Sequence, residues 1–197
     1  MASWNAFYED SEKRAPSLLL SRAIDYVKGL EPSHAVDLGC GSGNEAWQMI
    51  QAGWQVLAID REPEAITRTA NRCSMSQARS LDARVAHFEH LNGLPPSSLI
   101  HAGLSLPFCH PHRFEHVWHV VCQALVSGGV FVGHFFGLRH SWSKQKHMTF
   151  HSLGDVQQLA AGMEILLILE TESPMVVESE EVNWHRIDVI VRKIKVG

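Results

Sequence analysis

The residues best suited to chemistry form a stretch in which every second position is glycine, Asp37-Leu38-Gly39-Cys40-Gly41-Ser42-Gly43. A short apolar run precedes it and a helical pattern follows it, so the glycines lie in a predicted strand-to-helix turn. Glycine permits a tight turn and lets a ligand lie against bare main chain, and the first N–H groups of the helix then face that ligand. The stretch therefore indicates a nucleotide or nucleoside site.

The spacing of these glycines narrows the choice of ligand. A dinucleotide fingerprint reads G-x-G-x-x-G, and a phosphate-binding loop ends in Gly-Lys-Ser/Thr. Here the glycines stand at 39, 41 and 43, and Asn44 occupies the place of the required lysine. The pattern D-x-G-x-G-x-G thus disfavours both. A nicotinamide-dependent oxidoreductase remains an alternative enzyme, and a non-catalytic cofactor- or partner-binding module is an alternative of another class.

Two acidic residues follow the next predicted strands. Asp60 comes directly after the apolar run 56–59, where its carboxylate can accept hydrogen bonds from both ribose hydroxyls. It could instead cap the helix that opens at Pro63. Phe88 and Glu89 end the third predicted strand, where they could sandwich an adenine and meet its exocyclic amine. Glu89 could equally be a surface residue at the edge of the sheet.

Histidine is abundant, with 13 copies. His134 interrupts an apolar strand near its carboxyl end, and His185 enters the last strand. Each is either a buried structural histidine or a pocket residue, His134 then as a base. His112, His116 and His119 share one helix face, and two such residues can bind zinc. No carboxylate or cysteine completes the set, so we predict a solvated face and no metal.

These side chains need a scaffold that brings strand ends together. Strands are predicted at 35–38, 56–59, 84–88, 99–104, 130–136, 164–169 and 186–192. Helices are predicted after Ser17, Gly43, Pro63 and Ser152 and at 113–125, and 127–129 is predicted to be a turn. Alternating strands and helices predict an α/β, Rossmann-like, doubly wound and mostly parallel sheet. The last two strands lack a helix between them, which predicts one antiparallel strand near the C-terminus.

The size and charge of the chain bound its partners. Its 197 residues suffice for one compact domain, with 1–34 as a helical cover and 35–197 as the cofactor-binding domain. A net charge of −4 without a basic run disfavours nucleic acid. No apolar run is long enough to span a membrane, and the four cysteines form no C-x-x-C pair. We expect a cytoplasmic monomer or homodimer with free thiols.

The stretch 36–43, followed by Ile59-Asp60, resembles the cofactor motifs of class I S-adenosylmethionine-dependent methyltransferases, as does the predicted strand pattern. Four further segments are similar to small bacterial methyltransferases that are often labelled tellurite-resistance-like: 105–108, 133–137, 148–151 and 183–185. The resemblance implies S-adenosyl-L-methionine as the cofactor. It also implies that the methyl acceptor is a small molecule. The group that is methylated would be a thiol, a reduced chalcogen, an amine or a hydroxyl group.

The resemblance also assigns residues to the cofactor. The glycines would let its methionine part approach the main chain, Asp37 would orient the loop, and Asp60 would hold the ribose. The residues expected at the cofactor are Asp37, Gly39, Cys40, Gly41, Gly43, Asp60, Arg61, Phe88, Glu89 and Leu104.

The acceptor side is assigned from Ser105-Leu106-Pro107-Phe108. Amino-methylating members of the superfamily carry Asp/Asn/Ser-Pro-Pro-Tyr/Phe at this place, but Leu106 replaces the first proline here. Either Ser105 grips an amine, or the segment is a turn whose Phe108 lines the pocket. His134 and Ser105 are the candidate catalytic residues. The candidates for the acceptor pocket, each of which could also be plain packing, are Tyr8, Phe108, Trp142, Trp184 and His185.

Overall fold

The structure is a computed structural model that describes residues 14–74, 80–177 and 180–194. Within them the strands are β1 His34–Leu38, β2 Gln55–Asp60, β3 Leu81–Val85, β4 Ser97–Ala102, β5 Leu125–Gly137, β6 Phe150–His151, β7 Met163–Val177 and β8 Glu180–Lys193. The helices are α1 Leu18–Tyr26, α2 Asn44–Gln51, α3 Pro63–Ser74, α4 Pro111–Ala124 and α5 Leu153–Leu159. Short 3₁₀ turns occupy Phe88–His90 and Leu106–Phe108.

All strands belong to one sheet in the order β3-β2-β1-β4-β5-β8-β7, with the short β6 beside β5. Strands β1 to β5 pair in parallel, and β8 runs antiparallel to both β5 and β7. The predicted Rossmann-like sheet with one antiparallel strand near the C-terminus is therefore confirmed. The strand order reverses between β1 and β4, so the carboxyl ends of these strands flank the position where such folds bind ligands.

Helices cover the sheet on both faces. On one, called the α1 face, α1, α2 and α3 pack over Ala35, Leu99, Val132 and Ile190. On the other, the α4 face, α4 and α5 pack over a second core that includes Ile187. Side chains alternate between faces along a strand. Three polar residues, each two positions from one of these apolar ones, therefore lie on the α1 face: Asp37, His101 and His134.

Local sequence signals explain where several helices begin. The Ser17 side chain accepts a hydrogen bond from the Leu20 N–H and caps α1. Ser152 and Asp155 form a capping box at the start of α5. Gly29, with φ +79°, takes the left-handed conformation after α1. The helices predicted after Ser17 and Ser152 are therefore confirmed.

Several strand predictions were wrong in their bounds. Strand β4 ends at Ala102 rather than at residue 104, and β7 and β8 are longer than the predicted 164–169 and 186–192. The third strand is β3 at Leu81–Val85 rather than 84–88, and Phe88 lies in the 3₁₀ turn beyond it. Because β3 is an edge strand with largely exposed side chains, it lacks the apolar alternation that would mark its bounds. Strand β5 runs through the predicted turn at 127–129, where Gly128 has φ +81° and the pairing with β4 shifts register.

Candidate active site

The glycine turn after β1 has the conformation that its sequence predicts. Gly39, Gly41 and Gly43 have φ of +77°, +52° and +81°, in the left-handed region that L side chains rarely adopt. The N–H groups of Gly39 and Cys40 both donate to the Ile59 carbonyl at 2.7 and 3.1 Å. The turn is thus held against the end of β2.

Neighbouring side chains press directly on this turn. A Cβ atom on Gly39 would lie 2.3 Å from the Cβ of Ser105, and one on Gly43 would lie 2.8 Å from the Cα of Thr69. The Thr69 hydroxyl also donates to the Gly41 carbonyl at 3.1 Å. Residues 39 and 43 therefore need glycine for space as well as for conformation.

Asp60 ends β2 and holds the turn through its carboxylate. Its Oδ2 accepts the Gly41 N–H at 3.0 Å, and its Oδ1 accepts the Glu62 N–H at 3.0 Å, just ahead of α3. Burial raises the pKa of Asp60 above its ordinary value, although both N–H donors favour the charged form. Each carboxylate oxygen has a further lone pair, so the geometry leaves room for the ribose contact that we predicted for Asp60.

Asp37, at the start of the motif, is paired with a histidine on the neighbouring strand. His101 Nδ1 lies 2.8 Å from Asp37 Oδ1, and the two residues are only 3% and 1% exposed. The second oxygen, Asp37 Oδ2, is buried without a hydrogen-bond partner in the described part of the chain, and so is Ser42 Oγ. Two buried polar atoms beside the glycine turn thus remain available to a ligand.

These atoms test whether S-adenosylmethionine fits. An unpartnered buried polar atom costs about 1–3 kcal/mol, which a ligand that supplies its hydrogen bond would recover. Gly43 stands at the N-cap of α2 and supplies no capping side chain, so the start of this helix also faces the turn. The donors and acceptors present fit a cofactor with a charged amino acid part and a ribose.

Of the other predicted cofactor residues, Phe88 and Cys40 lie at the glycine turn, whereas Glu89 and Arg61 contact residues outside it. Phe88 lies at the turn, since its Cζ is 3.4 Å from the position of a Cβ on Gly39. Cys40 is buried in the turn, and burial raises the pKa of its thiol. Glu89 contacts the start of α4, where its Oε1 accepts the His110 N–H at 3.2 Å. The exposed Arg61 side chain contacts Glu62.

Leu104 and Ser105 connect the turn to the sheet. Leu104 has φ +56°, the one positive φ among non-glycine residues in the ranges described. Its N–H donates to His134 Nδ1 at 3.3 Å. The Ser105 hydroxyl donates to the Leu38 carbonyl at the end of β1. Both candidate catalytic side chains therefore contact the main chain around the predicted cofactor site.

His134 is held neutral by its surroundings. Burial, together with the charge of Arg186, lowers its pKa to about 3. Because Nδ1 accepts the Leu104 N–H, the proton of the neutral ring is on Nε2, which lies 3.9 Å from Asp188 Oδ1. A group with this pKa is a weak base at neutral pH. The geometry instead suits a role in orienting the segment after β4.

A group of aromatic side chains lies next to this segment, and we call it the aromatic wall. It consists of Phe108, Phe136, Trp142 and Trp184, with ring centroids 6.4 Å apart between Phe108 and Trp142 and 5.9 Å apart between the two tryptophans. The Trp184 and Phe136 rings are 5.1 Å apart. Three predicted pocket residues are therefore brought together. The fourth aromatic candidate, Tyr8, lies outside the described residues.

His185 lies elsewhere. It shares the α4 face with Ile187, two positions along β8, whereas its neighbour Trp184 points to the α1 face. Its ring covers the main chain of Gly137, where a Cβ would lie 2.1 Å from Nδ1. Its nitrogens contact the Arg139 N–H at 3.0 Å and Glu170 Oε1 at 2.7 Å. The structure thus places His185 on the opposite face of the sheet from the aromatic wall.

His140 belongs to the site but was missed in the sequence. Its ring stacks on Phe136 at 4.2 Å, its Nδ1 accepts the Trp142 N–H at 3.1 Å, and it is only 1% exposed. Its Nε2 is buried without a hydrogen-bond partner in the described ranges. Burial lowers the pKa of His140 to about 4, so the neutral ring carries its proton on Nε2. A loop position without periodicity gave no signal for it.

The histidines of α4 have ordinary surroundings. His116 donates from Nε2 to the Leu91 carbonyl at 2.8 Å, while His112 and His119 are exposed. Within residues 14–74, 80–177 and 180–194, no group of three or more His, Cys, Asp or Glu residues could hold a metal ion. In the same ranges, no helix is long and apolar enough to cross a membrane.

Comparison with known proteins agrees with this geometry. Residues 35–129 match the family model described as a methyltransferase domain. A curated relative, trans-aconitate 2-methyltransferase of Klebsiella pneumoniae (strain 342), is 29% identical over 166 residues, which is 81% of this chain and 60% of the relative. The chain thus spans about 60% of the length of this curated relative.

Solved structures share the fold. TehB from Haemophilus influenzae superposes with a TM-score of 0.76 at 14% identity, covering 95% of this chain and 65% of that chain. The Burkholderia thailandensis 1,6-didemethyltoxoflavin-N1-methyltransferase, with bound 1,6-didemethyltoxoflavin and S-adenosylhomocysteine, superposes with a TM-score of 0.68 at 16% identity, covering 98% of this chain and 86% of that chain. At these identities the likeness is one of fold.

Residues 35–129 are thus similar to a methyltransferase domain, and the fold and the glycine turn are those expected of class I S-adenosylmethionine-dependent methyltransferases. These similarities agree with the predicted cofactor, S-adenosylmethionine, and with the predicted enzyme type. The narrower resemblance to the tellurite-resistance-like group is joined by the similarity to TehB, which concerns the fold.

Proposed function

We propose that the protein transfers a methyl group from S-adenosylmethionine to a small molecule that binds at the aromatic wall. One observation carries this proposal: the segment after β4 touches both places. Ser105 packs on Gly39 in the turn, and Phe108, three residues later, contacts Trp142 in the wall. An acceptor at the wall would therefore lie next to the cofactor turn.

When bound, S-adenosylmethionine supplies a methyl group on a positively charged sulfonium, which is already activated for transfer. The protein then has to align the acceptor and exclude water. The turn would bind the cofactor through main-chain groups, with Asp37 Oδ2 and Ser42 Oγ as further polar contacts. Aromatic faces such as those of the wall favour a neighbouring cation.

Only some of the candidate acceptors require a base in this site. A thiolate or a reduced chalcogen anion needs no base, whereas an amine or a phenol must lose a proton. His134 is neutral with a pKa of about 3, and its Nδ1 is occupied by the Leu104 N–H. We therefore propose that His134 orients Leu104 and does not act as a base. The Ser105 hydroxyl donates a hydrogen bond to the Leu38 carbonyl. An acceptor amine could therefore bind Ser105 only by donating to a free lone pair of the Ser105 oxygen.

His140 gives the acceptor site a hydrogen-bond donor. In the described part of the chain its buried Nε2–H has no hydrogen-bond partner, and the centroids of the His140 and Trp184 rings are 5.0 Å apart. It would donate a hydrogen bond to an oxygen or nitrogen atom of the small molecule. The names of two similar proteins support a small molecule, since one is called a trans-aconitate methyltransferase and the other was solved with 1,6-didemethyltoxoflavin.

The proposal also includes a cover for this site, formed by the N-terminal part of the chain. Residues 1–34 would cover it; in the part that the structure describes, α1 is joined to α2 by Gln48, whose amide bonds the Ser17 main chain at 2.9 and 3.0 Å. A cytoplasmic monomer or homodimer that acts without nucleic acid remains our proposal.

A screen for homocysteine release tests the proposal. Thiols, reduced selenium and tellurium species, amines and phenols are offered with S-adenosylmethionine, and at least one class should be turned over. With that acceptor, Trp142→Ala should raise the KM for the acceptor about tenfold while the affinity for S-adenosylhomocysteine stays unchanged. Turnover with an unchanged KM in Trp142→Ala would place the acceptor away from the wall.

A further inference from the structure

We propose that His101 is a positioning residue for cofactor binding, which holds the Asp37 carboxylate so that Oδ2 stays available at the glycine turn. The inference rests on the proposed function, since the ligand of the turn is taken to be S-adenosylmethionine or its product. It concerns a residue outside the glycine motif, on a different strand.

The pairing of the two residues is built into the sheet. Asp37 on β1 and His101 on β4 are register partners in a parallel strand pair, and both side chains lie on the α1 face. Their contact of 2.8 Å uses Asp37 Oδ1 and His101 Nδ1. Because the other carboxylate oxygen has no partner in the described residues, the contact fixes which oxygen remains free.

The main chain makes room for the histidine ring. A Cβ on Gly103 would lie 2.6 Å from His101 Cε1 and 2.9 Å from Nε2, so the ring lies against bare backbone. The ring has therefore little freedom to turn away from Asp37. Rigid support of this kind is what keeps a binding group in its productive geometry.

Charge makes the pairing necessary. A carboxylate that is 1% exposed is costly to bury without a charged or hydrogen-bonding partner. Arg186 and Asp188, a charged pair on the same face, are matched to each other by two hydrogen bonds. Burial disfavours a charged His101, but attraction to Asp37 and their hydrogen bond outweigh this and raise its pKa.

Removing His101 should therefore act through Asp37. An unpaired, buried Asp37 would take up a proton or turn its carboxyl group towards other donors, and in both cases Oδ2 would no longer be available as an acceptor. Asparagine places an amide N–H close to the position of Nδ1, whereas glutamine places it close to Nε2. These two amides therefore separate the hydrogen bond from the size of the side chain.

Calorimetric titration with S-adenosylhomocysteine tests the inference on the full chain. We expect His101→Gln and His101→Phe to weaken binding about tenfold or more, and His101→Asn to stay within about threefold. His119→Phe, on the exposed face of α4, is the control and should bind like the wild type. If His101→Phe fails to fold, the Asn and Gln pair carries the comparison alone.

A double-mutant cycle separates positioning from general destabilisation. In an Asp37→Asn background, His101→Gln should cause no further loss of affinity. An equal loss in both backgrounds, or equal affinity of His101→Gln and the wild type, would overturn the role of His101. If the wild type itself does not bind S-adenosylhomocysteine, the proposed function fails instead, so the two failures are distinguishable.

Discussion

Gly39 and Ser105 are in direct contact, with only 2.3 Å between the Ser105 Cβ and the position that a Cβ on Gly39 would take. This contact joins the glycine turn to the segment that leads to the aromatic wall. We predict that Gly39→Ala lowers both the melting temperature and the affinity for S-adenosylhomocysteine, because the new methyl group must displace Ser105. Thermal unfolding and calorimetric titration measure the two effects.

Gly29→Ala is a matched control. Gly29 has φ +79°, nearly the same as the +77° of Gly39, but a Cβ there meets nothing within 4 Å. It should therefore show only the cost of the left-handed conformation, about 1–2 kcal/mol, and bind the ligand normally. If both variants lose the same stability and neither loses affinity, the contact with Ser105 has no role in the site.

Asp60→Ala should weaken S-adenosylhomocysteine binding by about 1–3 kcal/mol, through lost charge-assisted hydrogen bonds. The change also frees the N–H groups of Gly41 and Glu62, so the turn loses support in addition to the ribose contact. Asp82→Ala, which removes an exposed carboxylate on β3, is the control. Unchanged affinity in Asp60→Ala would remove Asp60 from the site.

His134→Ala should lower turnover about 10- to 100-fold through misplacement of the segment after β4, while cofactor affinity is spared. His134→Asn keeps an acceptor for the Leu104 N–H and should retain most of the activity. With a pKa of about 3, His134 contributes no ionisation to the rate between pH 5 and 9. An inflection in that range that vanishes in His134→Asn would instead identify it as a base.

The stability of the protein should depend on pH through His101. Its pKa is raised in the folded state, with Asp37, Glu45 and His134 as the neighbouring titratable groups. A raised pKa stabilises the fold fully below the unfolded value of about 6.5, and this contribution is lost as the pH rises through the folded value. Denaturant unfolding should show the wild type's advantage over His101→Asn shrinking from pH 6 to 9. An advantage that grows with pH would contradict the charged pair.

The fold could be predicted because its signals are local. The apolar runs of β1 and β2, the glycines between them and the caps Ser17 and Ser152 each depend on neighbouring residues. The strand bounds were predicted least well at two places. Strand β3 has largely exposed side chains and so lacks an apolar pattern, and β5 continues through an irregularity at Gly128. There the tertiary context determines the structure.

The site was predictable only where its chemistry lies in one stretch. The glycine turn and Asp60 follow a compact pattern, whereas the partners of Asp37 and Trp142, namely His101 and His140, come from other elements. Sequence placed His185 beside Trp184, but neighbours on a strand point to opposite faces, and that alternation takes His185 away from the wall.

Thermal unfolding with S-adenosylhomocysteine and with NADH tests the central claim most directly. A ligand at about 100 times its Kd stabilises the folded state by about 2.7 kcal/mol, which is about 5–10 °C for a chain of this size. We predict that S-adenosylhomocysteine raises the melting temperature by that amount and that NADH leaves it unchanged. A shift with NADH and none with S-adenosylhomocysteine would contradict the account.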